Sequence, residues 1–472
     1  MPSKLPHPVR AALRKVPRID RGGSPDERRL DEYDGEARRG GTHLPTVEGP
    51  GLNTEPGVGD DGWHTPPPCH LRDGTRLQLY KDGEAAAAAF RAIEHAQDRV
   101  LLEVYIWPGD ATGERFSELL ARKASEGVQV FVLYDAFGCL LTPPEIFNRI
   151  ERAGGNIVEF HPLNPWRSRW GWRPANRDHR KLLVVDQHIA GIGGLNIGDD
   201  YAGTWVAEDA RVAPEDLWRD AGMGIVGPGA GACAEAFRRA WQYAVKRGPM
   251  RRATFAHALH LPAPAKGKRI GKSREGGDAR AFRSVEDVLR DGHDLGFVGS
   301  APSLSSPLRP FLHGLIRSAQ KSLSLTMAYF APDDQLIDAL CSASRRGVKV
   351  RLMLAGRTDL RLLVIAGRAF YSRLLDAGCE VYEREHAMLH QKSIVADGKV
   401  AVLGSTNLDY RSIEFNLELS AVVRDEQFAG QLDDLFDHDV RYAESFDRER
   451  WRRRPWRDRF VQWSVSRLRY AL

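Results

Sequence analysis

Residues 179–196 read HRKLLVVDQHIAGIGGLN, and residues 390–407 read HQKSIVADGKVAVLGSTN. Both stretches follow the pattern His-x-Lys-x4-Asp-x6-Gly-[Gly/Ser]-x-Asn. A single His-x-Lys on a strand is usually incidental, whereas two complete copies of a long motif in one chain indicate a duplicated structural unit. This duplication decides the fold prediction.

The segments around the two motifs also correspond, and they occur in the same order. Before its motif the first half contains LLEVYIWPGD, GVQVFVLYD and AGGNIVEF, and the second half contains SLTMAYFAPDD, GVKVRLMLA and AGCEVYER. In both halves apolar runs typical of buried strands alternate with stretches of helical periodicity. The chain is therefore predicted to form two similar α/β halves, each with a sheet packed between helices.

Composition divides the chain into five segments. Residues 1–70 are rich in Gly, Pro and charge, which predicts an irregular N-terminal extension. A run rich in Pro, Gly, Lys and Arg within 251–290 predicts a linker or loop. We accordingly expect a first domain at 71–250, a second domain at 291–445 and a basic, aromatic tail at 446–472.

Length, charge and cysteine content narrow the class of protein. At 472 residues the chain is too long for a disulfide-stapled miniprotein, and its five cysteines never form a CxxC pair, which favours a reducing compartment. The formal net charge of +5 suits an anionic partner but does not by itself identify nucleic acid. We expect neither a secretory signal nor a transmembrane span, because no apolar run reaches about 18 residues.

The doubled motif supplies a set of side chains suited to phosphodiester chemistry. On a strand, residues i and i+2 project from one face, so each motif His points with its Lys, and the Gly-containing turn can return the Asn towards them. Two Lys and two Asn can surround phosphate oxygens, one imidazole can attack phosphorus, and a second can protonate the departing alkoxide. The set comprises His179, Lys181, Asn196, His390, Lys392 and Asn407.

Four further residues in or beside the motifs are assigned supporting roles. Asp186 and Asp397 point away from the His and Lys, so we expect them to brace the strand end or a turn. At the turn, Gly194 occupies the position that Ser405 occupies in the second copy, and both residues are expected to offer backbone donors to the substrate phosphate. No Asp, Glu or His cluster has metal-ligand spacing, so we predict neither a metal nor another cofactor, with Lys neutralising the charge.

Two acids downstream of the motifs are candidates for orienting the histidines. A nucleophilic His needs its other ring nitrogen held, because this fixes the tautomer and stabilises the positive charge that develops. Asp220, in LWRDAGMGIVG, and Glu418, in NLELSAVV, lie on corresponding strands. We assign both as orienting carboxylates, although either acid can instead be an ordinary salt-bridge partner.

The doubled motif resembles that of the phospholipase D superfamily. More narrowly, the segments quoted above resemble bacterial cardiolipin synthases of the type without transmembrane helices, over about residues 75–445. This resemblance implies two tandem α/β domains related by pseudo-two-fold symmetry, with one active site at their interface. It also implies a phosphohistidine intermediate on His179 and acid–base work by His390.

The same resemblance implies a reaction and a location. The expected reaction is phosphatidyl transfer between two phosphatidylglycerol molecules with release of glycerol, and the expected partners are phospholipids rather than nucleic acid. The expected location is the cytoplasmic face of a bacterial inner membrane, as a peripheral protein. Two alternatives remain: a phosphodiesterase, either lipid hydrolase or nuclease, that uses water as acceptor, and a noncatalytic membrane-binding protein. The second requires degraded motifs, and none of the key residues is missing.

The C-terminal tail suggests contact with an anionic membrane surface. Arg alternates with Trp and Phe there, and if 456–472 is helical, Val461, Val465, Leu468 and Leu472 form an apolar stripe. The Trp- and Arg-rich insert at 165–173, absent from the second half, is a second candidate contact. Packing of the stripe on the protein core is the competing interpretation.

Overall fold

The computed structural model describes residues 62–164, 175–205, 217–247, 283–289, 292–300 and 306–467. The insert at 165–173, most of the 251–290 segment, and Leu468 and Leu472 of the predicted stripe lie outside the described residues. None of the described helices is long and apolar enough to cross a membrane.

The first half is built on an eight-stranded mixed sheet. Its strands are β1 (Cys69–His70), β2 (Arg76–Lys81), β3 (Arg99–Val104), β4 (Gln129–Asp135), β5 (Asn156–Phe160), β6 (Leu182–Val185), β7 (Ile189–Gly193) and β9 (Ala221–Val226), with the separate β8 (Trp218–Arg219) before β9. The spatial order is β1-β2-β9-β7-β6-β3-β4-β5. The neighbours β3, β4 and β5 are parallel, and the other pairs are antiparallel.

The second half repeats this arrangement. Its strands are β10 (Leu295–Gly299), β11 (Ser322–Met327), β12 (Phe330–Ala331), β13 (Lys349–Ala355), β14 (Glu380–Arg384), β15 (Met388–Leu389), β16 (Lys392–Ala396), β17 (Val400–Gly404), β18 (Leu408–Asp409), β19 (Leu419–Arg424) and β20 (Glu444–Ser445). The main sheet has the order β10-β19-β17-β16-β11-β13-β14-β20. Its first seven strands in this order correspond one by one to β2-β9-β7-β6-β3-β4-β5 of the first sheet. The predicted α/β fold of two tandem domains is confirmed.

Helices cover the sheets in both halves. In chain order they are α1 (Gly83–Glu94), α2 (Ala111–Ser125), α3 (Pro144–Arg152), α4 (Asp199–Ala202), α5 (Ala230–Arg247), α6 (Val285–Val288), α7 (Leu308–Ser318), α8 (Asp334–Arg345), α9 (Arg361–Arg368), α10 (Tyr371–Ala377), α11 (Tyr410–Glu414), α12 (Glu426–Val440), α13 (Arg448–Arg452) and α14 (Trp456–Ser466). Equivalent helices begin alike: Asp110 caps α2 and Asp333 caps α8, each accepting a backbone N–H from the first turn.

The two halves meet in a shared core and exchange backbone hydrogen bonds. One buried hydrophobic cluster combines strands of both sheets with α5 and α12, including Phe237 and Trp241 from the first half and Phe428 and Leu432 from the second. Strand β8 of the first half pairs in parallel with β15 of the second. Because this core and pairing cross the domain boundary, the segments that lead into both motifs are fixed relative to one another.

The structure shifts three of the expected boundaries. The extension is not irregular up to residue 70, because Cys69–His70 pairs with β2 and Trp63 is buried. The end of the 251–290 segment is not loop, because α6 has a Ser284 capping box and its valines join the second core. The tail is not separate from the second domain, because Trp451 is buried in the same core. In each case, apolar side chains of the segment pack against a neighbouring domain, and the local composition does not reveal this packing.

Candidate active site

The two motif histidines lie where the central strands β6 and β16 begin, in the middle of each sheet. Backbone contacts hold each of them to the opposite half: the His179 N–H donates to Leu417 O at 2.9 Å, and the His390 N–H donates to Arg219 O at 2.8 Å. Both imidazoles are almost fully buried. The fold therefore brings the two motifs together at the interface between the halves.

Each histidine receives its carboxylate from the other half of the chain. His179 Nδ1 lies 3.1 Å from Oε1 and 3.2 Å from Oε2 of Glu418, and His390 Nδ1 lies 2.7 Å from Oδ2 of Asp220. A carboxylate at Nδ1 favours the tautomer that carries its proton there, which leaves Nε2 as the lone-pair nitrogen. The crossed pairing places one oriented imidazole from each half at a single site.

Two buried lysines supply positive charge beside the histidines. Lys181 Nζ donates to the carbonyl oxygen of His179 at 2.7 Å, and Lys392 Nζ donates in the same way to the carbonyl oxygen of His390. Burial, reinforced by the charge of Lys392, lowers the pKa of Lys181 to about 7. Burial also lowers the pKa of Lys392 to about 8, against the pull of Asp220 and Glu418. Two crowded ammonium groups favour an anionic ligand between them.

The same environment keeps the imidazoles neutral. Burial, followed by the charge of Lys181, lowers the pKa of His179, although Glu418 opposes the shift. Burial together with Lys392, Lys181 and His179 lowers the pKa of His390 well below its ordinary value. At neutral pH in the unliganded protein, both Nε2 atoms therefore carry lone pairs, as a nucleophile requires.

The two orienting carboxylates have different surroundings. Burial raises the pKa of Glu418, but His179, Lys181 and a hydrogen bond from the Ser405 hydroxyl together bring it below its ordinary value. Burial raises the pKa of Asp220, and nearby cations offset this only in part. A Cβ on Gly194 would lie 2.5 Å from both Asp220 oxygens, so this position excludes the side chain present in the second copy. Ser405 thus contacts a carboxylate, and its predicted phosphate contact through the backbone stays a prediction.

The motif asparagines mainly support the chain around the site. Asn196 Oδ1 accepts the Ile106 N–H at 3.1 Å, and Asn407 Oδ1 accepts the Tyr329 N–H at 3.3 Å, just after β3 and β11 respectively. Asn196 Nδ2 also donates to the Tyr201 hydroxyl at 2.9 Å. Each Asn therefore fixes the segment that follows a central strand, and direct contact of either amide with phosphate stays a prediction.

The two motif aspartates lie at the opposite ends of the same strands. Asp186 accepts the backbone N–H groups of Gln97, Asp98 and Arg99, each at 2.8 Å. Asp397 accepts the corresponding N–H groups of the second half, from Gln320, Lys321 and Ser322. Both aspartates have positive φ, at 48° and 56°. They hold the first residues of β3 and β11, which is a structural contact remote from the histidines.

Aromatic residues that the motif did not identify form the walls of the site. The Tyr105 ring lies 4.9 Å from the His179 ring, while Trp218, Tyr201 and Tyr329 lie 4.8, 5.5 and 6.3 Å from the His390 ring. The recurrence of Tyr105 as Tyr329 in matching segments is a sequence signal that could have indicated a role. Trp218 and Tyr201 have no such counterpart, and only the packing reveals them. Within the described ranges, no group of three or more His, Cys, Asp or Glu could hold a metal ion.

Comparisons with known proteins show which family the chain belongs to. A family model described as cardiolipin synthase, PLD-like domain, matches residues 312–440. The chain is 31% identical over 402 residues to the cardiolipin synthase of Geobacillus thermodenitrificans, covering 85% of this chain and 72% of that protein. It is 32% identical over 389 residues to cardiolipin synthase A of Pseudomonas putida, covering 81% of this chain and 71% of that protein. The chain belongs to the cardiolipin synthase family. The resemblance drawn from the doubled motif is confirmed.

The fold of this member of the cardiolipin synthase family is also similar to a solved structure. The phosphatidylserine synthase of Haemophilus influenzae superimposes with a TM-score of 0.61, covering 84% of this chain and 95% of that one. Because the two sequences are only 14% identical, the likeness shows a shared fold alone.

The crossed carboxylates give a first test. We expect Asp220→Asn and Glu418→Gln each to lower the rate of phosphodiester turnover by on the order of 10³-fold, because the amide no longer stabilises an imidazolium. Glu383→Gln is the matched control, since Glu383 is also fully buried but binds Arg368 and Tyr371 away from the histidines. It should reduce thermal stability and leave turnover within a few fold. Wild-type turnover in both site variants would contradict the orienting role.

The lowered pKa values give a second test. Because the pKa of His179 lies below 6.5, kcat/KM should fall with acid only below that pH, as the nucleophile becomes protonated. Above neutrality kcat/KM should fall as Lys181 and then Lys392 lose their protons, with pKa values of about 7 and about 8. Initial rates at constant ionic strength measure both limbs. Lys181→Arg should move the start of the alkaline limb from about pH 7 to about pH 8, because Lys392 is then the first of the two cations to lose its proton, and a wild-type profile that stays level to pH 9 would refute the assignment.

Proposed function

We propose that the protein is a cardiolipin synthase that transfers the phosphatidyl group of one phosphatidylglycerol to the glycerol hydroxyl of another and releases glycerol. The observation that carries this proposal is the pair of imidazoles, His179 and His390, each oriented by a carboxylate of the opposite half. A transferase that works in two displacements needs one nitrogen to hold the group and another to move protons.

In the first displacement, the lone pair of His179 Nε2 attacks phosphorus, and the bond from phosphorus to the head-group glycerol oxygen breaks. His390 donates its Nε2 proton to that oxygen, and glycerol leaves. This step requires protonated His390, whose pKa is low in the empty site. The bound phosphodiester anion opposes the repulsion from Lys392 and Lys181, so substrate binding favours the protonated form.

In the second displacement, the neutral His390 accepts the proton of a glycerol hydroxyl on a second phosphatidylglycerol. The hydroxyl oxygen attacks phosphorus, the bond from phosphorus to His179 breaks, and cardiolipin forms. Lys181 and Lys392 stabilise the additional negative charge of both transition states. Water competes with the second lipid, so the aromatic walls around His390 favour transfer by restricting water near the phosphohistidine.

Trapping the intermediate tests this division of labour. Because the phosphorus–nitrogen bond of a phosphohistidine hydrolyses in acid, the reaction is quenched with detergent at alkaline pH after mixing with phosphatidylglycerol labelled in its phosphate. We expect labelled protein from the wild type, none from His179→Ala, and label that persists in His390→Ala. Products distinguish the alternatives: cardiolipin plus glycerol indicates the synthase, phosphatidic acid a hydrolase, and no turnover a noncatalytic binder. Labelled His179→Ala protein would overturn the assignment.

We also propose that the protein docks peripherally on an anionic membrane, on the cytoplasmic face of a bacterial inner membrane. Large apolar side chains that are exposed among the described residues concentrate in three segments, and Tyr442 is the exception. Their members are Phe137, Leu140 and Leu141; Leu360 and Leu362; and Trp456, Phe460, Val461 and Trp463. Leu141 is 92% exposed and Trp456 is 72% exposed, which is costly in water unless a partner covers them.

Two of these segments occupy equivalent places beside the site. The first follows β4 and the second follows β13, the matching strand of the other half. Cys139 Sγ contacts the carbonyl oxygen of Tyr105 at 3.3 Å, and Tyr105 packs on His179. In the second half the Tyr329 hydroxyl donates to Asp359 at 2.6 Å, next to Leu360. A membrane that covers these loops would therefore present lipid head groups close to both histidines.

The third segment corrects the predicted apolar stripe of the tail. Val465 does not face outwards, because it packs against Ala331, Leu363 and Ala366. The exposed face of α14 instead carries Trp456, Phe460 and Trp463, at helical spacings of four and three. Exposed arginines flank this face at positions 452, 453, 457, 459 and 467. Trp and Phe at the head-group level, surrounded by Arg, suit an anionic lipid surface.

Substitutions on α14 test the docking surface. Deleting 447–472 would also remove the buried Trp451, so exposed residues are the better targets. We expect Trp456→Ser combined with Trp463→Ser to weaken cosedimentation with phosphatidylglycerol vesicles by at least about tenfold, because each indole buries a large apolar area in the interface. Tyr442→Ser, an exposed aromatic outside the three segments, should bind like the wild type. Undiminished binding of the double variant would refute docking through α14.

A further inference from the structure

A cavity of about 110 Å³ lies between α1 and the first sheet. Helix α1 is unusually rich in alanine, with the sequence GEAAAAAFRAIE. Five alanines of α1 line the cavity on the helix side, at positions 85, 86, 88, 89 and 92, and mainly apolar residues of β3, β6, β7 and β9 line the sheet side. An apolar space of this size destabilises a folded protein in proportion to its volume, so its retention requires an explanation.

The second half shows that the fold itself does not require this space. Gln97 and Gln320 occupy equivalent places, because their N–H groups bind the two motif aspartates. With these two glutamines aligned, α1 corresponds to α7. Ala86 then corresponds to Arg309, and the other four alanines correspond to large apolar residues. The counterparts of Ala85, Ala88, Ala89 and Ala92 are Leu308, Phe311, Leu312 and Leu315. The corresponding space in the second half, lined by the first three of these, is only about 10 Å³.

The cavity extends to two residues of the candidate active site. Lys181 and Asn196, both residues of the first motif, form part of its lining. Thr112 also lines it and is only 1% exposed, and its hydroxyl has no hydrogen-bond partner among the described residues. Buried hydroxyl groups are normally hydrogen-bonded, so this one indicates a missing acceptor. The space thus has mainly apolar walls, an unsatisfied hydroxyl group at Thr112, and an end at Lys181, which is expected to bind phosphate.

We propose that this alanine-lined cavity binds the part of one acyl chain nearest the phosphate in the phospholipid that forms the bond to His179. The inference rests on the proposed function and adds a binding site for the donor lipid. The cavity is smaller than the roughly 150 Å³ engineered cavity that binds benzene, so it accepts a few methylene groups rather than a whole chain. The Thr112 hydroxyl then donates to an ester carbonyl oxygen at the start of that chain.

The position of the cavity assigns it to the donor lipid. It ends at Lys181, which contacts His179, whereas the equivalent space beside Lys392 and the second motif is filled. A chain anchored on the His179 side holds the phosphatidyl group in place while glycerol leaves and the acceptor lipid enters. The acceptor lipid needs no equivalent binding site during the first displacement, because it enters only after glycerol has left.

The sequence of the second half supplies the test. Ala88→Phe copies Phe311 into the first half and fills the cavity. Titration calorimetry compares the binding of dihexanoylphosphatidylglycerol with that of glycerophosphoglycerol, which carries the same head group and no acyl chain. We expect the wild type to bind the acylated ligand at least about tenfold more tightly, and Ala88→Phe to lose most of that preference while binding glycerophosphoglycerol unchanged.

Two controls make the outcome decisive. Ala124→Leu adds similar apolar volume on α2, outside the cavity lining, and should retain the preference for the acylated ligand. Thermal denaturation should show Ala88→Phe to be as stable as the wild type or more stable, and Ala89→Leu, which copies Leu312, replaces it if Phe prevents folding. Full retention of the acyl preference in a folded, cavity-filled variant overturns the proposal. Because the readout is binding, a failure to make cardiolipin would overturn the proposed function and leave this result interpretable.

Discussion

The crossed pairing of histidines and carboxylates is the constraint on which the rest of the site depends. His179 takes Glu418 and His390 takes Asp220, so neither half orients its own imidazole. A buried carboxylate without a partner is strongly unfavourable, and the same is true of a buried, unoriented imidazole. Correct docking of the two halves therefore gives each histidine and each carboxylate its partner. The interface and the candidate active site form together.

The proposed reaction also depends on positively charged side chains that are buried away from solvent. Lys181 and Lys392 are buried beside neutral imidazoles, and burial with mutual repulsion lowers the pKa values of both amines. Repulsion between the two buried amines lowers the stability of the folded protein when the site is empty, and a bound phosphodiester anion offsets this repulsion. In the proposed mechanism, the bound anion restores the charged form of the lysines and favours protonation of His390, so substrate binding prepares the acid that the first displacement uses.

The two halves share a fold but have diverged where a transferase needs asymmetry. Ser405 donates to Glu418 and helps to keep it ionised, whereas Gly194 leaves no room for a side chain against Asp220. The cation that develops on His179 thus faces the better stabilised carboxylate. The packing between helix and sheet also differs between the halves. The alanines of α1 leave a cavity of about 110 Å³ in the half that carries His179, whereas the large side chains of α7 leave about 10 Å³ in the other half.

The sequence by itself determined the duplication, the α/β character and the motif residues, because a repeated spacing of His, Lys, Asp and Asn is visible without coordinates. The strand period also separated Asp186 and Asp397 from the histidines. Only the tertiary structure decided which acid serves which histidine, since Asp220 and Glu418 reach their partners across the interface. Packing likewise decided which face of α14 is exposed: local periodicity does not record that Val465 meets Ala331. Contacts between residues distant in the chain arise when the two sheets share a core, and no pattern within either half specifies them.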